Sequence, residues 1–256
     1  MNRKQRRAGK GAKTTQGASN NDPFWGRFMQ GLEHQQAGRL AEAEPIYREI
    51  LTANPRHAHS LHMMGLMARD LKNYDVAEEL VSSAILEQEE AVFYNSLGNI
   101  LRAQSKFQES IPVYEKSLAM NPNVANYWND YAASLVNLNK PQEALGAYTL
   151  AIEKDPKNYH AIHNLASIVQ QQGKNDLAIE YLKRAVAIKP DFAEAYKNLG
   201  GIYRFLGQNE VAKKQYELAL KYSPDYADAL SDMANTLRDM HRYDEALQYY
   251  LRVTKL

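Results

Sequence analysis

The apolar positions between Ala193 and Tyr226 form two helical stripes separated by a glycine. Tyr196, Leu199, Gly200 and Tyr203 are spaced 3, 1 and 3 residues apart, which places them on one face of a helix. Gly207 interrupts the period. Ala212, Tyr216 and Ala219, spaced 4 and 3, make a second stripe. Pro224 closes it, because proline cannot continue a helix and biases the preceding residue away from helical backbone. A helix-turn-helix of 34 residues cannot bury both stripes alone. It needs neighbours of its own kind, so the pattern predicts a repeat.

The repeat is present. With Ala193 as position 1, the informative positions are 4, 7, 8, 11, 20, 24, 27 and 32. The preceding block, from Tyr159, places Ile162, Leu165, Ala166, Val169, Ala178, Leu182, Ala185 and Pro190 there. The block from Ala125 places Trp128, Tyr131, Ala132, Leu135, Ala144, Tyr148, Ala151 and Pro156. The block from Ala91 places Tyr94, Leu97, Gly98, Leu101, Ser110, Tyr114, Ser117 and Pro122. Small residues at 8, 20 and 27 let helices cross closely, and large ones between them fill the space. This register resembles the tetratricopeptide repeat, with a bulky residue at 4, Leu-Gly at 7 and 8, Ala at 20, an aromatic at 24, Ala at 27 and Pro at 32. The resemblance covers about nine tenths of the chain and implies an all-α, right-handed superhelical solenoid of about seven helix-turn-helix repeats. Their expected bounds are 24–57, 58–90, 91–124, 125–158, 159–192, 193–226 and 227–256, within a repeat region 23–256 preceded by a tail, 1–22.

The register fails in three places. Repeat 1 has Arg27 at position 4, with Phe24, Trp25 and Phe28 clustered around it, an aromatic group expected to pack as an end cap. Repeat 2 is one residue short and lacks the proline, ending ILEQEE, which predicts a local irregularity near Glu87–Glu90. Repeat 7 stops at position 30 with no further solvent-facing helix. That suggests an end covered by another molecule, self-association through this repeat, or a piece of something longer. Pro141 falls in the first turn of a second helix, where its missing N–H costs nothing; Pro45 and Pro112 lie further in.

Composition narrows the classes. The chain of 256 residues has a formal charge of +1 and no cysteine, which excludes disulfides and thiolate metal sites and fits a reducing, cytoplasmic setting. No apolar run reaches the roughly 18 residues of a membrane span, and no apolar segment follows the basic start. Residues 1–13 carry Arg3, Lys4, Arg6, Arg7, Lys10 and Lys13 and no acid, so the remainder carries −5 against the overall +1. The tail reads as disordered in isolation. It is either an electrostatic arm for nucleic acid or another anionic surface, or a solubilising extension.

In the family this chain resembles, first helices line a concave surface through positions 2, 5, 6, 9, 12 and 13. Those positions here are rich in amides, among them Asn95, Asn99, Asn126, Asn129, Asp130, Asn137, Asn164, Gln170, Gln171, Asn198 and Asn235. A carboxamide both donates and accepts, so a ladder of them can hold the backbone of an extended peptide without reading its sequence. This is similar to the asparagine-lined groove of O-linked N-acetylglucosamine transferase repeats. The candidate peptide-binding residues are therefore Asn95, Asn99, Asn129, Asn164, Asn198 and Asn235. A merely solvated polar face is the other reading. The Lys and Asn pair at 5 and 9 that chaperone-binding members use for a C-terminal carboxylate is absent, and position 6 is never Arg.

His59/His62 and His160/His163 lie three apart on one helical face, with no acidic ligand at helical spacing to complete a metal site. There is no G-x-S-x-G, no P-loop and no H-E-x-x-H, so no catalytic constellation and no cofactor is expected. The expectation is a non-catalytic, bacterial-type adaptor that binds an extended protein segment on its concave face. The alternative is the substrate-recruiting N-terminal module of a longer glycosyltransferase or methyltransferase.

Overall fold

The computed structural model describes residues 22–256. The basic residues Arg3 to Lys13, and any role assigned to them, lie outside the described residues. The rest forms fourteen α-helices in seven pairs. They are α1 (Trp25–Gln36) and α2 (Leu40–Ala53), α3 (Ala58–Asp70) and α4 (Tyr74–Glu87), α5 (Ala91–Ala103) and α6 (Phe107–Met120), and α7 (Ala125–Asn137) and α8 (Pro141–Lys154). The last three pairs are α9 (Tyr159–Gln171) and α10 (Asn175–Ile188), α11 (Ala193–Phe205) and α12 (Asn209–Tyr222), and α13 (Ala227–Asp239) and α14 (Tyr243–Val253). No strand occurs among the described residues. No helix among them is long and apolar enough to cross a membrane.

The turn inside every pair uses one backbone device. Position 15 adopts positive φ in all seven repeats, at Gly38, Lys72, Ser105, Asn139, Gly173, Gly207 and His241. At Lys72 the φ is 60°; its N–H bonds the Arg69 carbonyl at 2.8 Å and the Asn73 N–H bonds the Ala68 carbonyl at 2.9 Å. This pair of bonds is the Schellman closure, which satisfies carbonyls left open at a helix end. Left-handed backbone suits glycine and costs a side chain with a Cβ roughly 1–2 kcal/mol. Lys72→Gly is therefore expected to stabilise the protein by about 0.5–1 kcal/mol once the greater freedom of glycine in the unfolded chain is deducted. Chemical denaturation checks this, and a lower midpoint would refute it.

The described residues divide into two compact units, 22–113 and 114–256, with α6 running through the boundary. In the first unit Phe28, Ala43, Ile46, Tyr47, Ile50 and Met67 form one core cluster, against which Phe24 and Trp25 pack. The aromatic start thus packs down over repeat 1. Arg27, the misfit at position 4, turns outward and pairs with Glu49 at 2.6 Å. Further along, Ala58, Leu61, Ala84 and Phe93 form a second cluster. The residue missing from repeat 2 is missing from a connector and not from a helix. Gln88–Glu90 is the only link between α4 and α5, three residues where 54–57, 155–158, 189–192 and 223–226 have four. Gln88 (φ −152°) and Glu90 (φ −132°) are extended, and the helices on either side keep the lengths of their counterparts.

In the second unit Ile162, Ala166, Val169, Ala178, Leu182, Ala185, Phe192, Ala195, Leu199 and Ile202 make one cluster, and Ala212, Tyr216, Met233, Leu237 and Ala246 make another. Three of the prolines at position 32, Pro122, Pro156 and Pro224, serve as hydrogen-bond acceptors as well as helix stops. Arg184 and Arg252, both at position 26, donate to the Pro156 and Pro224 carbonyls at 2.7 Å. Trp128 Nε1 donates to the Pro122 carbonyl at 2.8 Å. On α14, Leu247 and Leu251 are exposed, as is Tyr243 at its start.

Candidate functional site

The first helices of the second unit lie one repeat apart, and this offset brings polar side chains from different repeats into register. Asn158 caps α9 by accepting the Ala161 N–H at 3.0 Å. Its Nδ2 donates to Asn126 Oδ1 on α7, also at 3.0 Å. Further along α9, Asn164 Nδ2 donates to Asn129 Oδ1 at 3.2 Å. Asn129 Nδ2 in turn meets the Asp130 carboxylate at 3.3 Å. His163 sits at the next junction, with Nδ1 3.3 Å from Asn164 Oδ1 and Nε2 2.8 Å from Asn198 Nδ2 on α11. A continuous run of hydrogen bonds, Asp130–Asn129–Asn164–His163–Asn198, therefore crosses three first helices. Asp130 and Asn198, at its two ends, are half-buried.

The charges beyond this run are arranged across the next pair of first helices. Lys197 Nζ lies 3.7 Å from the Asp232 carboxylate, and Arg204 Nε donates to Asp239 at 2.8 Å. Burial raises the Asp232 carboxyl above the ordinary range, against the pull of Lys197 and Arg204. The hydrogen bond from Arg204 holds Asp239 below it. Burial lowers His163 and His160, so neutral imidazole is favoured at both. Phe192 packs edge-on to His163, His160 and Tyr159, with ring centroids 5.0–5.5 Å apart.

The structure thus brings Asn129, Asn164 and Asn198 together, while Asn235 is bonded to its own pair: Tyr250 OH donates to Asn235 Oδ1 at 2.7 Å. In the first unit Asn95 is buried at 8 % exposure, and Asn99 accepts from Arg102 at 3.4 Å. His163 is the linking residue that sequence spacing read only as half of a histidine pair. The signal for it was available: positions 5 and 6 of consecutive repeats, 34 residues apart, recur as Asn129/Asp130, His163/Asn164 and Lys197/Asn198.

The other histidine pair has a structural setting. His62 is buried against Phe93 (ring centroids 4.5 Å apart), and its Nε2 is 2.8 Å from Ser96 Oγ. His59 lies beside Trp25, Phe28 and Phe93, with Nε2 3.6 Å from Glu90. No cluster of three potential ligands among the described residues is arranged to hold a metal. Near them, Asp22, His57 and Ser60 form a chain in the order of a hydrolase triad, His57 Nε2 to Asp22 at 2.8 Å and Nδ1 to Ser60 Oγ at 2.8 Å. Ser60 is fully buried, at 0 % exposure, and its backbone N–H also donates to His57 Nδ1 at 3.1 Å. The imidazole is therefore the N-cap of α3, and Asp22 ties the segment before α1 to that cap. A nucleophile enclosed in this way meets no substrate.

Seven helix pairs on one template, with small residues at the crossings and a polar first-helix face, define an all-α repeat protein of the helix-turn-helix kind. Family models described as tetratricopeptide repeat match it along its length, one over residues 28–91 and 95–159, another over 159–223 and 191–256. The chain belongs to the tetratricopeptide repeat family. Among curated proteins it is similar to human tetratricopeptide repeat protein 7A, 28 % identical over 94 residues. That alignment spans 36 % of this chain and 11 % of the human protein. The solved structure of PilW, a type IV pilus biogenesis factor, superposes with a TM-score of 0.70 at 20 % identity, over 77 % of this chain and 92 % of PilW. YrrB, described as a tetratricopeptide repeat protein with an unusual peptide-binding site, superposes with a TM-score of 0.53 at 20 % identity, over 72 % and 95 %.

Proposed function

We propose that this chain is a non-catalytic adaptor that holds an extended segment of a partner protein on the first-helix face of its repeats, in a reducing compartment such as the cytoplasm. The observation that carries the reading is the run of carboxamides crossing α7, α9 and α11. Its members are spaced one repeat apart and held by one another, and each amide keeps a hydrogen-bonding position beyond those the run uses. Such groups are pre-organised for a peptide backbone, so little ordering cost attends binding. The peptide-binding site described for YrrB, on the same fold, agrees with this use. The composition, with no cysteine in 256 residues, agrees with the compartment.

The test is a crosslinking pull-down from the native cell with Asn198→Ala as the control. Loss of one buried hydrogen bond costs on the order of 1 kcal/mol, so partner recovery is expected to fall several-fold. Undiminished recovery by Asn198→Ala would move the binding surface off this face.

A further inference from the structure

The amide run has a direction, and one end imposes it. A carboxamide can be turned by 180°, exchanging its oxygen and NH2, so an isolated chain of asparagines has two equally good arrangements. A carboxylate accepts and does not donate. Asp130 therefore obliges Asn129 to offer its NH2, 3.3 Å away. Asn129 is left with Oδ1 facing Asn164, which answers with Nδ2 at 3.2 Å. Asn164 then faces His163 with Oδ1 at 3.3 Å, so His163 Nδ1 carries the ring proton. Nε2 keeps its lone pair and accepts from Asn198 Nδ2 at 2.8 Å. At the far end Asn198 Oδ1 is left as the acceptor, beside the one Nδ2 hydrogen that the run does not use.

We propose that Asp130 and His163 are positioning residues that determine specificity: they lock the amide run so that this face presents an acceptor at Asn198, which selects a partner segment offering an N–H donor there. This rests on the reading of the face as a peptide site. The surroundings agree with an acceptor surface. Lys197 and Arg204, the cations on the same helix, are engaged by Asp232 and Asp239, and Glu194 on that helix is exposed. An occupant with its N–H blocked, by proline or N-methylation, loses the contact and leaves a half-buried oxygen unpaired.

The polarity is read without any ligand, from the long-range 1H–15N correlation of the histidine rings at neutral pH, with His163→Phe assigning the signal. The expected result is a single tautomer protonated at Nδ1, the less common form of free imidazole. Asp130→Ala is expected to lose the single-tautomer pattern. Asp130→Lys, which puts a donor where the acceptor was, is expected to move the proton to Nε2. Circular dichroism establishes that each variant is folded. Protonation at Nε2 in the unaltered protein, or an unchanged tautomer in both folded variants, overturns the proposal.

A second arm adds an acetylated, amidated glycine–serine octapeptide at millimolar concentration and follows the Asn198 side-chain amide. A shift is expected with this peptide and none with its fully N-methylated counterpart. If the tautomers are as expected and neither peptide moves the Asn198 signal, the polarity stands. The assignment of the face as a peptide site is then overturned, and the acceptor role with it.

Discussion

Gly200→Ala destabilises the second unit, Tyr216→Leu also destabilises it, and the double variant is more stable than the sum of the two losses allows. A Cβ added at Gly200 would lie 2.6–2.8 Å from three atoms of the Tyr216 ring, closer than packed carbons approach. The ring is fully buried and belongs to the cluster with Ala212 and Met233, so it has nowhere to retreat without disturbing that packing. Overpacking of this kind costs about 1–3 kcal/mol, partly offset by up to about 1 kcal/mol from the better helix propensity of alanine. Tyr216→Leu alone leaves a void where the ring was, at a similar cost of about 1–3 kcal/mol. Together the two changes recreate the pair that repeat 5 already uses, Ala166 facing Leu182, both buried. The coupling energy from a denaturation cycle is expected to be at least about 0.5 kcal/mol in the favourable direction. Additive losses would show that the two side chains do not compete for the same space.

Lowering the pH from 7 to 5 is expected to destabilise the first unit through His62. Burial depresses this imidazole to about 3, with smaller pushes from His59 and Arg69, against an ordinary value of 6.5. Below pH 6.5 the unfolded chain takes up a proton that the folded protein does not. The unfolded state thus binds more protons, and stability falls as the pH drops from about 6.5 towards about 3. At pH 5 the unfolded side chain lies 1.5 units below its midpoint, so the loss is about 2 kcal/mol. The enclosure explains the direction. One ring nitrogen meets Ser96 Oγ, the ring lies against Phe93, and Nδ1 has no partner to receive a new charge. His59, lowered mainly by burial, adds to the loss; Glu90, raised by burial, opposes it. His62→Gln keeps a hydrogen bond to Ser96 within reach and removes the titration. Its denaturation midpoint should therefore vary much less between pH 7 and pH 5. An equal pH dependence in this variant would assign the effect to other groups.

The legible part of this protein is the part repeated. A 34-residue period placed Gly200 opposite Tyr216, Ala212 and Ala219 in the core, and Gly207 in the turn, because each position meets the same packing problem in every repeat. The same register placed Lys72, Ser105 and His241 at a left-handed position that their own preferences would not choose. Packing on both sides overrides local propensity there. The departures were legible as departures but not in their outcome. That Arg27 turns out to Glu49 while Phe28 fills the core, and that the shortened connector at Gln88–Glu90 leaves α4 and α5 at full length, depends on what lies across the interface.

The candidate face divides in the same way. Sequence alone determined that asparagines recur at first-helix positions of consecutive repeats, since a helical period and a repeat length specify which residues share a face. Only the tertiary structure decided which of them touch. Asn129 and Asn164 are bonded to one another, Asn235 is taken by Tyr250, and His163 joins two asparagines from different helices. The physical reason is that a hydrogen bond needs about 3 Å between particular atoms, whereas periodicity specifies a face only to within a side chain's breadth. The direction of the run, set by the carboxylate of Asp130 at one end, is a property of the assembled chain of groups and of no single position in it.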